Sequence, residues 1–246
     1  MKLSNKILLF TGIILLVILT GLMLRFKGII NDLVQYRHGA SKEEYDKMLQ
    51  SEIISKEFAI QDFDEIDLDV NATINMIKSS EYGVIVEAPR ELINSATLQV
   101  KKDGDQLKIN SPNYRRSFMR DRIDIEIKTP EIEELEISNS ATATMTNFQL
   151  GQIEIKLAGN CELTGKNNTI DELELSCFGA ADVDFKACKI TNADIQTFGS
   201  NSIEINMAGG VLEGSMTGSG NITYYGEVNK ENIKTLGSTK VIKKSL

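Results

Sequence analysis

Five acidic residues at near-constant spacing carry most of the chemistry this sequence could perform. Glu134, Glu154, Glu174, Asp194 and Glu213 follow one another at intervals of 20, 20, 20 and 19, and Asn232 takes the next place. Carboxylates are acids, bases and hard oxygen ligands. Set on successive turns of a stacked structure they would stand about 4.8 Å apart. Like charges at that spacing repel by only about 1 kcal/mol in water, so such a row can stand as a solvated face while still concentrating cations. Lys156 and Lys234, two residues along, relieve it at two turns, whereas Glu174 and Asp194 are followed by Ser176 and Gln196. Spacing therefore singles out Glu174 and Asp194 as the candidate metal pair, for calcium or magnesium rather than a softer metal.

Catalysis asks for more. Glu162 and Asp182, also twenty apart, could stand about 5 Å from each other, a separation that suits a retaining glycosidase. A flat outward face offers no cleft and no substrate-positioning groups, and few aromatic residues are placed to stack a sugar. His38 is the only histidine, so a serine–histidine–acid arrangement has no base within the repeated region. Gly218-Ser-Gly220 reads as a turn, lacking the Gly-Lys-Ser/Thr of a phosphate loop. Asp62, Asp64, Asp67 and Asp69 read as the wet side of a strand rather than a calcium loop. No catalytic residue and no cofactor are expected. Cys161, Cys177 and Cys188 have no zinc-type spacing, and Cys161 and Cys177 occupy inward positions expected to hold buried free thiols.

The elements that would position the acidic row are set by the small residues around it. Asn139, Gly159, Gly179, Gly199, Gly218 and Gly237 mark turns with the same period. Four residues before the first four lie Leu135, Ile155, Leu175 and Ile195; four after all six lie Ala143, Leu163, Val183, Ile203, Ile222 and Val241. Apolar positions alternate with period two on both sides of each marker, which specifies strands. Twenty residues cannot bury their own apolar face, so successive copies must stack. The expected fold is all-β: a parallel β-solenoid of about 20 residues per coil.

An N-terminal transmembrane helix is expected ahead of it. Ile7 to Leu24 is an uncharged stretch of eighteen residues between Lys2 and Lys6 on one side and Arg25 and Lys27 on the other. That is near the minimum for crossing a bilayer, longer than a usual signal-peptide core, and without a cleavage site after it. Residues 1–27 thus read as a membrane anchor, 28–56 as a juxtamembrane helix or linker, and 57–246 as the β domain. Within the last, Thr97–Lys101 and Gln106–Asn110 flank Asp103-Gly104 as a hairpin, and Arg122–Lys128 alternates as a strand. These early strands show no twenty-residue register and are expected to cover one end of the stack. Outside residues 1–27 the chain carries 23 basic against 35 acidic residues, a net of −12. Nucleic acid, which needs a basic footprint, is excluded as the main partner.

Phe63-Asp-Glu-Ile-Asp-Leu-Asp-Val70, Gly104-Asp-Gln-Leu-Lys-Ile109, Ile125-Glu-Ile-Lys-Thr-Pro130 and the closing Thr217-Gly-Ser-Gly-Asn-Ile-Thr-Tyr-Tyr-Gly226 occur in this order. Together they resemble the bacterial putative auto-transporter adhesin, head GIN domain family, over roughly residues 57–246. The resemblance implies an exported β-solenoid without an established activity and supplies no catalytic residues. The expectation is a non-enzymatic module, held at the cell membrane by a single pass with its C-terminal domain outside the cytoplasm. It would act in binding, adhesion or scaffolding in the envelope, with a glycan or a protein there as partner. The alternatives are an envelope carbohydrate-active enzyme of the β-helix type and a cytoplasm-facing regulatory domain.

Overall fold

The computed structural model describes residues 47–95, 97–111 and 123–245, all within the unit Lys42–Leu246. Its strands are β1 (Ile53–Phe58), β2 (Glu65–Asp69), β3 (Thr73–Lys78), β4 (Gly83–Pro89), β5 (Gln99–Asp103), β6 (Gln106–Asn110) and β7 (Asp124–Thr129). They continue with β8 (Glu134–Asn139), β9 (Thr142–Thr146), β10 (Gln149–Ala208), β11 (Val211–Glu227) and β12 (Lys230–Lys244), and one short helix, α1 (Arg90–Asn94), follows β4. Alternation decides which side chains are buried. In β2 Ile66 and Leu68 are fully buried and Glu65, Asp67 and Asp69 are half-exposed. The inward rows of all the walls merge into one core. Each fully buried aliphatic side chain there contributes about 1.5–3 kcal/mol.

From β8 onward the ladders keep the register read from the sequence. Ile155 opposes Leu135, Leu163 opposes Ala143, and Ile203 opposes Ile222, all parallel and all buried. The corner between the two ladders falls at the marker residues, every one of which has positive φ, from 72° at Asn139 to 123° at Gly179. At Gly199 a Cβ would lie 2.1 Å from the carbonyl oxygen of Gly179, so the backbones stack too closely for any side chain.

The expectation of a parallel β-solenoid preceded by a transmembrane helix is corrected. The sheet is mixed, wrapping barrel-like around the core, with β1 antiparallel to β4, β4 to β7, and β5 to β6. Order in space is also not order in sequence. β2 lies between β6 and β8, and β3 between β7 and β9, so the segment carrying β2 and β3 is inserted between two later ones. Pairing explains this arrangement: β2 and β3 have apolar rows on their inward side and accept a parallel neighbour on each edge, whereas β1 and β5 close the edges. The expected hairpin is present as β5–β6, with Asp103 opposite Gln106 and Gly104 at φ 63° in its loop.

Among the described residues no helix is long and apolar enough to cross a membrane. The expected anchor, Ile7 to Leu24, lies outside the described residues, as does His38. The single-pass membrane localisation is therefore corrected as well: nothing in the described fold supports it. Strand β1 begins at Ile53, inside the stretch read as linker, and pairs along β4 up to Ile53 opposite Pro89.

Candidate ligand-binding face

The acidic row assembles as its spacing implied, and it gains a member. Glu154 opposes Glu134, Asp194 opposes Glu213, and Glu213 opposes Asn232; on its other side Glu134 opposes Glu65 of β2. Glu65 was invisible to a repeat search because β2 is out of sequence order. Lys156 bridges Glu134 and Glu154 at 2.8 and 2.9 Å, and these two hydrogen bonds hold its ammonium well above the usual lysine range. Glu174 is exposed and Asp194 half-buried, its Oδ1 making no hydrogen bond. Among the described residues no group of three or more His, Cys, Asp or Glu side chains is placed to hold a metal ion. Glu174 and Asp194 would supply two carboxylates towards the six to eight oxygens that calcium takes.

Next to it, a charged row runs along the same wall: Lys108, Asp67, Glu136 and Lys156 oppose one another in turn, with the two carboxylates side by side between the two lysines. Burial, more than their charged neighbours, raises the carboxyls of Asp67 and Glu136 above their ordinary values. On the following ladder Lys186 joins Asp184 to Glu204, and the Tyr225 hydroxyl donates to Glu204 as well. These are half-exposed surface pairs, worth a fraction of a kcal/mol each. The three cysteines are free and buried, and burial pushes the Cys177 thiol up to about 12.

A different feature lies just past the corner. There the repeat builds a shallow trough of about 440 Å³ that crosses four coils. Its floor is Cys161, Ala181, Asn201 and Gly220, one residue from each coil, the first three buried. Exposed Asn160, Ser200 and Ser219 border it on the corner side, with Ser200 and Ser219 Oγ atoms 3.4 Å apart. Glu162, Asp182 and Asn221 border it on the other. Asn201 is only 3% exposed; its Oδ1 accepts the Ala181 N–H at 3.1 Å, and its Nδ2 makes no hydrogen bond in the chain.

On the other side of the corner glycines, two residues before Ala180 and Ser200, stand Phe178 and Phe198. They are 56% and 62% exposed. Gly179 and Gly199 stack backbone on backbone, so the two phenylalanines sit on adjacent coils. Neither ring is among the residues that line the trough. The sequence signal for the pair was the residue just before each marker, where Ser138 and Ala158 give way to phenylalanine.

The family model described as putative auto-transporter adhesin, head GIN domain, matches residues 62–228. The chain belongs to this family. Two solved structures share the fold of this head GIN domain. One, a putative adhesin from Bacteroides fragilis NCTC 9343, is 16% identical with a TM-score of 0.61, over 79% of this chain and 97% of that one. The other, a putative lipid binding protein from Parabacteroides distasonis ATCC 8503, is 17% identical with a TM-score of 0.51, over 79% and 98%. At these identities the likeness speaks to the fold alone. No curated protein matches the chain. The trough and both phenylalanines fall within the matched span, whereas β12 lies beyond it.

Proposed function

We propose that this head GIN domain is a non-enzymatic module for adhesion or scaffolding, which binds an extended polymer laid across its coils. The observation that carries the reading is the exposed Phe178–Phe198 pair beside a trough four coils long. Large aromatic side chains left in water on adjacent coils contribute nothing to the core. Their burial under a partner is where binding energy is available. The trough is open and shallow, which suits a polymer passing along it rather than a small substrate enclosed for reaction. Glu162 and Asp182 are both exposed on its border, and Glu162 accepts the Thr142 hydroxyl. Desolvation and Glu162 raise the Asp182 carboxyl above its ordinary value, but the open border has no cleft to seat a scissile bond, which supports a binding role for the two carboxylates over the acid–base role of a glycosidase.

The test is co-sedimentation of the full chain with insoluble cell-wall glycan, with protein-coated beads and with phosphatidylcholine vesicles, alongside the double variant Phe178→Ser, Phe198→Ser. Both rings are more than half exposed, so the variant should melt like the wild type. Binding to at least one material should fall about tenfold, equivalent to about 1.4 kcal/mol. Binding to none of them, or binding indifferent to the double variant, would remove the proposal.

A further inference from the structure

We infer that the second edge of β12 takes up an extended, acidic segment of another polypeptide, which adds to the stack in parallel as one more coil. The two ends of the sheet differ. The irregular end finishes in the short edge strands β1 and β5, of six and five residues. β12 is 15 residues long, and among the described residues it pairs with β11 alone, from Lys230 opposite Val211 to Lys244 opposite Tyr225. Its other side presents a long run of backbone amide and carbonyl groups, which is what strand addition uses.

The core is also incomplete at this end. Ile195 and Ile203, on either side of their corner, are fully buried. Ile233 and Val241 hold the same inward positions two coils further on, and there they pack against the core but stay only half-buried. The Thr239 hydroxyl between them is buried and makes no hydrogen bond among the described residues. A further strand would cover both aliphatic side chains, adding apolar burial to the backbone pairing.

Charge selects the occupant. Beyond residue 27 the chain is strongly acidic, yet β12 carries Lys230, Lys234, Lys240, Lys243 and Lys244 against the single Glu231. Lys243 is held by Glu227 at 2.8 Å. Lys234 and Lys240 are exposed, oppose the neutral Ser215 and Asn221, and make no ion pair among the described residues. They stand three residues to either side of Gly237. A second copy laid antiparallel about Gly237 would bring Lys234 against Lys240 and Lys230 against Lys244. Like charges directly opposite one another destabilise a strand pair, whereas an acidic segment meets both lysines with opposite charge.

The corner adds a steric condition. At Gly237 a Cβ would lie 2.3 Å from the Gly218 carbonyl oxygen, and Gly218 approaches Gly199 in the same way. A strand laid on β12 therefore needs glycine opposite Gly237. With the ladders continued, it needs acids three residues before and after that glycine, opposite Lys234 and Lys240. It needs apolar side chains four residues before and after, opposite Ile233 and Val241. The partner segment thus reads apolar–acid–x–x–Gly–x–x–acid–apolar.

The experiment is fluorescence anisotropy of the full chain with a labelled synthetic peptide of this pattern, matched to β12 in length. It has valine and glutamate at the named positions and threonine or serine elsewhere. Saturable binding is expected. Lys234→Glu with Lys240→Glu should weaken it about tenfold, and a peptide with lysines in place of its two glutamates should recover binding to that variant. Both lysines are exposed, so the variant should melt like the wild type. A peptide with valine in place of the central glycine keeps its charge and should bind about tenfold more weakly. Phe178→Ser with Phe198→Ser should bind the peptide as wild type does, which separates this edge from the polymer face. Absence of saturable binding overturns the inference, as does binding indifferent to the lysine variant. Equal binding of the glycine and valine peptides overturns it too, because that is charge attraction without strand addition. Dimerisation of the wild-type chain in competition with the peptide would make a second copy the occupant and likewise overturn it.

Discussion

The first part of the domain, β1 to β7, and the second, from β8 to β12, solve the same problem in two ways. Both bury alternating aliphatic rows in one core, and both use parallel ladders. The second part does so by repetition, each coil laid on the one before it in sequence. In the first part β2 and β3 slot between strands that come later, and antiparallel β1, β4 and β5 cover the edges. Repetition makes a surface of rows, and a row can serve as a platform for a repeating ligand. The irregular part extends those rows only through β2 and β6 and through β3 and β7, and its antiparallel strands protect the end of the stack from uncontrolled strand pairing. The candidate face accordingly lies wholly in the repetitive part.

The largest expected effect separates the two kinds of glycine in the repetitive part. Gly199→Ala puts a Cβ 2.1 Å from a backbone oxygen at φ 122°. The backbone conformation alone should cost about 1–3 kcal/mol, and the clash adds to it, so the chain should melt well below wild type or fail to fold. Gly151→Ala, which meets nothing within 4 Å, should leave the melt unchanged. Equal effects would mean the corner is not built by close backbone stacking.

Next come the cores of the two parts. Ile195→Ala in the repetitive part and Leu107→Ala in the irregular part each empty a fully buried site, at about 2–5 kcal/mol by denaturant unfolding. Because the core is continuous, both variants should lower one shared transition. Two separate transitions would show that the parts fold independently.

These cases also show what was legible in the sequence. The marker glycines, the inward ladders and the acidic row were readable because one position recurs at one spacing, so each copy corroborates the others. Glu65, Asp67 and Ile66 obey the same physics but appear once, and their neighbours in space, Glu134, Glu136 and Leu135, are some seventy residues away. Nothing local encodes that pairing. Phe178 and Phe198 were legible as residues but not as a site. Alternation shows that they point outward, but what makes them a platform is the trough beside them, and that depends on how sharply the corner folds.

A smaller effect concerns the charged row of Lys108, Asp67, Glu136 and Lys156, where the irregular part meets the regular one. The carboxyls of Asp67 and Glu136 are raised in the folded chain, chiefly by burial, so the folded state binds protons more tightly than the unfolded state. Their contribution is fully present below the unfolded values, at about pH 4, and is lost as pH rises through the folded ones. The melting temperature should therefore be higher at pH 5 than at pH 7.5, and Asp67→Asn with Glu136→Gln should flatten that slope. An unchanged slope would assign the pH dependence elsewhere. The smallest effect is expected at Glu174 and Asp194. Millimolar calcium should leave the melt unmoved, with or without Glu174→Gln and Asp194→Asn, and a calcium-dependent rise seen only in wild type would restore the row as a metal site.

The most direct test of the central claim is a hydrogen-exchange map of the full chain, with and without a saturating amount of the polymer it binds in co-sedimentation. Protection should gather at residues 160–162, 180–182, 200–202 and 219–221 and at the corners beside Phe178 and Phe198, leaving β1 to β7 unchanged. Protection centred on the acidic row, on β12 or on the irregular part would contradict the account.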